Sequence, residues 1–174
     1  MAFWKDLFRK NGVQQKIGLE GHTTVQVRHW NQDTNSYGKW IYLAKDKHNL
    51  ITDAGQDFFS AQCLTNTSAG TRGAGFIALT ENGTAPAASD TTLTSEITTN
   101  GLARADATTK THSAGADTTV IEHTFTASGS FSTVQKSGLF NASSAGTMFS
   151  ENTFTSTALA TNDQIKVTWT ITQT

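Results

Sequence analysis

The sequence is poor in cysteine, proline and charge, and each shortage excludes a class of protein. The single cysteine, Cys63, cannot form a disulfide within the chain and excludes a multi-cysteine metal site. One proline and 14 glycines among 174 residues are too few for a collagen-like chain. No apolar run approaches the roughly 20 residues of a membrane helix, so no membrane partner is expected.

Hydroxyl side chains are what the sequence has instead, with 31 Thr and 14 Ser. Threonine favours strands, and a charged fraction of only 16% argues against disorder driven by charge repulsion. A chain of this length is typical of one domain and is long enough to bury a core. Charged residues interrupt residues 1–10, which therefore lack a signal-peptide core, and we expect folding in a reducing cytoplasm.

Charge is unevenly distributed along the chain. Residues 1–50 carry eight basic and four acidic side chains, whereas residues 51–174 carry five basic and ten acidic ones. This asymmetry predicts either two ordinary solvated surfaces or an N-terminal third that meets an acidic partner. The basic side chains near the N-terminus are too few and too dispersed for a phosphate-binding stripe, so direct nucleic-acid binding is not expected.

The first ten residues have the pattern of a short amphipathic helix. Phe3, Trp4, Leu7 and Phe8 fall on one helical face, and Asn11-Gly12 is a typical helix end. A helix this short is marginal alone in water, so its apolar face must dock elsewhere. The sequence leaves three sites open: the chain's own domain, a neighbouring subunit or a membrane surface.

A β-hairpin with a long polar tip is predicted next. Residues 23–30 and 39–44 have strand character, and the segment between them is rich in turn-forming residues. Trp30, Tyr37 and Trp40 flank the tip. They either contact a sugar or a protein partner, or Trp30 and Trp40 pack across the hairpin as a stabilising pair.

A helix that covers the core is predicted after the hairpin. Asp53 has the position of a capping residue, and Gln56 follows it at capping-box spacing. Phe58, Phe59 and Cys63 are expected to close one side of the core.

The rest of the chain predicts a series of short strands. Candidate strands are 76–79, 102–111, 118–126, 131–140, 148–154 and 164–172. The last has the clearest alternation, with Ile165, Val167, Trp169 and Ile171 on one face. Short strands separated by turns predict a mainly β protein, an antiparallel β-sandwich of jelly-roll or immunoglobulin-like type with the two helices described above.

Catalytic and metal-binding motifs are not recognisable in the sequence. The five histidines have no zinc-type spacing, and no Gly-x-Ser-x-Gly elbow occurs. The segment 70–75 is glycine-rich but lacks the ending of a phosphate loop and precedes an apolar strand. We therefore predict no catalytic residue, no cofactor and no metal site, and we expect a protein that is not an enzyme.

Two groups of segments carry a resemblance to a known class. These are 49–55 with 76–93, and 137–142 with 146–148 and 163–171. Together they resemble small β-sandwich structural proteins of tailed-bacteriophage virions, a group that includes decoration, neck, tail-accessory and fibre-base proteins. The resemblance spans residues 49–174 and implies a non-enzymatic virion component, assembled in the bacterial host cytoplasm.

The resulting hypothesis divides the chain into two parts. Residues 1–48 would form an attachment region and residues 49–174 the sandwich. We expect a homo-oligomer that contacts capsid, portal, neck or tail proteins. The alternative is an adhesin that binds carbohydrate on a host surface, and a hydrolase with a site dispersed over loops is a weaker third possibility. The predicted contact residues are Phe3, Trp4, Leu7, Phe8, Trp30, Tyr37 and Trp40.

Overall fold

A computed structural model describes residues 19–60, 73–114, 116 and 118–173. One helix, α1 (Asp53–Ser60), and twelve strands occur within these ranges. The strands are β1 (Leu19–Arg28), β2 (Trp30–Asn31), β3 (Ser36–Tyr37), β4 (Ile41–His48), β5 (Leu50–Ile51), β6 (Phe76–Thr80), β7 (Ala105–Asp106), β8 (Thr109–His112), β9 (Thr118–Thr126), β10 (Phe131–Phe140), β11 (Met148–Leu159) and β12 (Gln164–Gln173).

Ten of these strands form two antiparallel sheets of five strands each. The first sheet has the order β4-β1-β12-β9-β8, and the second has the order β5-β11-β10-β6-β7. The remaining pair, β2 and β3, forms a small ribbon. The prediction of a mainly β protein with an antiparallel sandwich is confirmed.

The main core lies between the two sheets, and the alternation of β12 shows why. Ile165, Val167 and Trp169 are completely buried, and Ile171 is nearly so. The intervening residues of the strand are partly exposed, as expected for a strand with one wet face. Side chains from β1, β6, β9, β10 and β11 complete the same apolar cluster, which spans both sheets.

The second sheet is buried on both faces near its centre. All five residues of β6 are buried. Ile77 and Leu79 belong to the main core, whereas Phe76 and Ala78 belong to a separate cluster with Leu93 and two residues of β10 and β11. Since successive side chains of a strand point to opposite faces, this second cluster lies on the outer side of the sheet, beneath the loop that carries Leu93.

The residue that caps helix α1 lies one position earlier than the sequence predicted. Thr52 Oγ1 accepts a hydrogen bond from Gly55 N (3.0 Å) and donates one to Met148 O (2.7 Å), whereas Asp53 is already helical. The prediction of Asp53 as the cap is therefore wrong, because β11 anchors the Thr52 hydroxyl at the helix start. Cys63 and the side chains of Phe58 and Phe59 lie outside the described residues.

The two long strands of the region 1–48, β1 and β4, belong to the first sheet. β1 lies between β4 and β12, and it pairs with β12 along its whole length, with Val25 opposite Val167. Strands from both sides of the expected division at residue 48 thus share one sheet. The predicted helix at residues 1–10 lies outside the described residues.

Candidate functional site

The tip of the β1–β4 hairpin brings the predicted aromatic residues together. β1 and β4 pair antiparallel, so the predicted hairpin is confirmed, and the β2–β3 ribbon forms its tip. Trp30 and Tyr37 are directly opposite each other in this ribbon. Their rings meet edge to face, with centroids 4.8 Å apart and planes at 72°, a favoured arrangement for an aromatic pair.

Cationic side chains hold the aromatic group in place. The guanidinium carbon of Arg28 lies 4.0 Å from the ring centroid of Tyr37 and 4.6 Å from that of Trp40. Arg28 also donates from Nε and Nη2 to Gln164 Oε1, at 2.9 and 2.6 Å. Lys166 Nζ lies 5.5 Å from the Trp40 centroid. Cation–π contacts of this kind link the hairpin tip to the start of β12.

Asp163 fixes the base of the tip. Its carboxylate accepts hydrogen bonds from Trp30 N (2.7 Å) and Ala160 N (2.9 Å), and it lies 2.7 Å from His29 Nδ1. The side chain is only 5% exposed. Burial alone would raise the pKa of Asp163, but the hydrogen bonds from Ala160, His29 and Trp30 outweigh it and lower the pKa.

Two large apolar side chains beside the tip are exposed. Ile41 and Tyr42 are each 54% exposed and begin β4, an edge strand of the first sheet. Lys45 Nζ lies 5.4 Å from the Tyr42 ring. Sequence reasoning assigned both residues to a strand and missed their exposure. We define the hairpin surface as Trp30, Tyr37, Trp40, Ile41 and Tyr42.

A second cluster, at the opposite end of the same hairpin, was missed by the sequence analysis. His22 of β1 is opposite His48 of β4, and Glu20 lies two residues before His22 on the same face. Glu20 Oε1 is 3.2 Å from His22 Nε2 and 2.9 Å from His48 Nε2. The two imidazoles are 26 residues apart in sequence, so only the strand register brings them together.

These contacts perturb the ionisation of the cluster. The hydrogen bonds with His22 and His48 lower the pKa of Glu20. Desolvation would lower the pKa of His22, but its hydrogen bonds with the Asp46 carbonyl and with Glu20 outweigh this effect and raise it. Among the described residues, this is the group of histidine and carboxylate ligands that is close enough to hold a metal ion.

A buried ionisable group lies on the outer side of the second sheet. The side chains of Glu151 and Lys136 are 1% and 3% exposed, with Lys136 Nζ 3.4 Å from Glu151 Oε2. Burial and the interaction with the neighbouring Asp90 carboxyl group raise the pKa of Glu151 to about 7, against the opposing effect of Lys136. The same interaction is the main reason that the pKa of Asp90 is lowered. Glu151 therefore takes up a proton more readily than Asp90 does.

The predicted contact residues divide into two groups. Tyr37 and Trp40 lie beside Arg28, and Trp30 contacts Tyr37, so the structure brings these three together in the hairpin surface. The other four, Phe3, Trp4, Leu7 and Phe8, lie outside the described residues.

Comparisons with known proteins find no relative of the chain. Neither the family models, nor the curated proteins, nor the solved structures contain a match to the chain. Within the part of the chain that the structure describes, no helix combines the length and apolar character needed to cross a membrane. The class that the fold defines is that of mainly β proteins with two packed antiparallel sheets.

Proposed function

We propose that this chain is a structural component of a tailed-bacteriophage virion that acts through contacts between subunits. The observation that carries the proposal is the hairpin surface, where Ile41 and Tyr42 remain half exposed on an edge strand beside three aromatic residues. Edge strands and exposed apolar groups are favourable sites for protein association. The resemblance of residues 49–174 to virion sandwich proteins supports the same class.

The proposed occupant of the hairpin surface is a second copy of the chain. Arg28 and Lys45 lie over rings of this surface, whereas residues 51–174 carry ten acidic against five basic side chains. A basic surface on one copy and an acidic excess elsewhere on the next favour a head-to-tail contact. Contacts of this type close into rings when the rotation between copies permits it.

The outer face of the first sheet suits repeated assembly. Thr168, Thr170 and Thr172 of β12 are partly exposed there. Threonine hydroxyls donate and accept hydrogen bonds without the repulsion that like charges on neighbouring copies would cause. Packing of neighbouring copies over these threonines therefore carries little electrostatic cost.

The test is the mass of the full chain in solution, measured by light scattering during size-exclusion chromatography. We expect an oligomer that dissociates when Ile41 and Tyr42 are both replaced by Ser. The control is Thr111→Ala on β8, the other edge strand of the first sheet, which should leave the mass unchanged. A monomeric wild-type chain, or an oligomer that survives the double substitution, would contradict the proposed contact.

Virion membership needs a separate measurement. Particles assembled with the Ile41→Ser/Tyr42→Ser chain should contain less of it than particles assembled with wild-type chain or with Thr111→Ala. Equal occupancy of all three would show that the hairpin surface does not attach the protein to the particle.

The alternative function is a carbohydrate-binding adhesin, and the Trp30–Tyr37 pair favours it. Both rings are only partly buried, they contact each other edge to face, and Arg28 lies over the Tyr37 ring, so the pair can serve as a sugar-stacking platform. Binding to a glycan array that disappears in Trp30→Ala and Tyr37→Ala, with folding intact, would establish this function. The Ile41→Ser/Tyr42→Ser chain retains both rings and should still bind glycans in that case.

A further inference from the structure

We propose that Glu20, His22 and His48 form a binding site for a divalent transition-metal ion of the zinc class. The proposal does not depend on the virion role, because it rests on side chains at the opposite end of the β1–β4 hairpin from the tip. The three ligand atoms, one from each residue, all lie within 4.8 Å of one another.

The distances are compatible with one shared ion. A tetrahedral zinc ion with bonds of about 2.1 Å keeps its ligand atoms roughly 3.4 Å apart. Glu20 Oε1 is already 3.2 Å and 2.9 Å from the two Nε2 atoms. The imidazole centroids are 5.0 Å apart, and their planes are inclined at 55°, so the rings converge without stacking face to face.

The outer nitrogens of both rings have partners that fix the rings for metal binding. His22 Nδ1 lies 3.3 Å from Asp46 O and 3.2 Å from Asp46 Oδ1. His48 Nδ1 lies 3.2 Å from Asn49 O. Carbonyl and carboxylate oxygens accept hydrogen bonds, so these contacts favour the tautomer with hydrogen on Nδ1 in both rings. Each Nε2 then presents a lone pair.

The consequence is a convergence of three electron-rich atoms. In the metal-free chain, hydrogens on the two Nε2 atoms form the hydrogen bonds with Glu20. Without these hydrogens, both Nε2 lone pairs and one carboxylate oxygen face the same small volume, and a divalent cation can take the place of the displaced protons. Two imidazoles and one carboxylate form a ligand set that suits zinc and related metals better than magnesium or calcium.

The backbone around the cluster sets the positions of the ligands. A bulge interrupts the β1–β4 register between Thr23 and Val25, and Asp46 has a φ of +49° in the opposing stretch. The Asp46 amide donates to Thr24 Oγ1 at 3.0 Å, which holds this irregular turn against β1. The bulge thereby directs the carbonyl oxygen and Oδ1 of Asp46 toward Nδ1 of His22. Asp46 thus has the position of the outer partner that orients a metal-binding histidine.

Gly21 and Asn49 fix the position of His48. A side chain at Gly21 would occupy the space of the buried Asn49 amide group, so only glycine permits this approach. Asn49 N also donates to Gly21 O at 2.9 Å. The segment that carries His48 is thus held against the segment that carries Glu20 and His22.

The exposure of the ligands indicates an open coordination position. The side chain of His48 is 65% exposed, whereas that of His22 is 27% exposed. Three protein ligands and one solvent position resemble an open rather than a closed zinc site. The bound ion would link edge strand β4 to β1 and stabilise the folded chain by mass action.

The test uses the full chain without an affinity tag and with its metal removed by a chelator. Titration with Co²⁺ is followed by visible absorption, and titration with Zn²⁺ by calorimetry and by the unfolding temperature. We expect one ion per chain, an absorption band typical of four- or five-coordinate Co²⁺, and a rise in the unfolding temperature with Zn²⁺.

Variants locate the site. His48→Gln and Glu20→Gln should each weaken Zn²⁺ binding by at least about tenfold, since each removes or neutralises a ligand. Both positions are partly exposed, so the variants should fold, and circular dichroism checks this. His112→Gln is the matched control, because His112 is an exposed histidine of the same sheet whose Nδ1 also contacts a carbonyl oxygen. Cys63→Ser controls for binding by the thiol.

Three results would overturn the proposal. One is the absence of Zn²⁺ binding below millimolar concentration, which would mean that protons alone satisfy the cluster. Another is unchanged affinity in both His48→Gln and Glu20→Gln. The third is a loss of binding in His112→Gln or Cys63→Ser that equals the loss in His48→Gln.

Discussion

The buried carboxyl of Glu151 should make the stability of this protein fall as the pH rises. Its pKa is about 7 in the folded chain, against an ordinary value of 4.5. Between these values the folded chain keeps a proton that the unfolded chain has lost. The stabilisation from this group is therefore complete below pH 4.5 and is lost as the pH rises through 7. Each pKa unit corresponds to about 1.4 kcal/mol, so the loss is about 3 kcal/mol.

Glu151→Gln isolates this effect. The amide group keeps a donor for the Asp90 carboxylate but has no proton to lose, so the variant should not share this fall in stability. We expect similar free energies of unfolding near pH 4.5 and a variant that is more stable than wild type by up to about 3 kcal/mol near pH 8. Titrating groups that do not interact with Glu151 cancel in the difference between the two proteins.

The assay is urea denaturation followed by tryptophan fluorescence at several pH values from 4.5 to 8. Asp33→Asn, which neutralises an exposed carboxyl group, controls for the loss of one surface charge. Parallel stability profiles for wild type and Glu151→Gln would refute the reasoning. A variant less stable than wild type at pH 8 would refute it as well, because ionised Glu151 would then be well stabilised by Lys136.

Substitutions at two further positions probe the core and the hairpin base. Trp169→Ala removes a completely buried indole and should lower the free energy of unfolding, measured with urea, by about 3–5 kcal/mol. Trp169→Phe should lower it by less. Equal and small losses in the two variants would place the indole outside the core. Asp163→Ala leaves the amides of Trp30 and Ala160 and the imidazole of His29 without their acceptor and should cost about 3 kcal/mol. Asp163→Asn retains one acceptor oxygen and should be intermediate in the same denaturation assay, and an equal loss in both variants would contradict this account.

Strand positions were predictable because local patterns determine them. The alternation of β12 identifies its buried face, since a strand with one wet side must place every second residue inward. Turn-forming residues between apolar segments likewise located β9, β10 and β11 within a few residues. The cap of α1 was misplaced because Thr52 and Asp53 are both good capping residues locally. Only the contact of Thr52 with Met148 O decides between them.

The hairpin surface was predictable in part. Its tip could be located from the turn-rich segment between Trp30 and Trp40, but the exposure of Ile41 and Tyr42 could not. Successive residues point to opposite faces of a sheet, so both residues would be buried only in a strand that is covered on both faces. In an edge strand such as β4, each also lacks a neighbouring strand on the open side. That β4 is an edge strand depends on the order of strands in the sheet, which no local pattern specifies.

The amino-acid sequence by itself determined the class of fold, the faces of its strands and the place of the hairpin, because each depends on neighbours a few residues apart. Tertiary structure alone decided which distant side chains meet. His22 and His48 share one carboxylate oxygen through strand register, and Glu151 keeps its proton because sheet and loop together exclude water from it. The first result depends on strand pairing within the first sheet, and the second depends on desolvation on the outer side of the second sheet, where the loop at Asp90 lies.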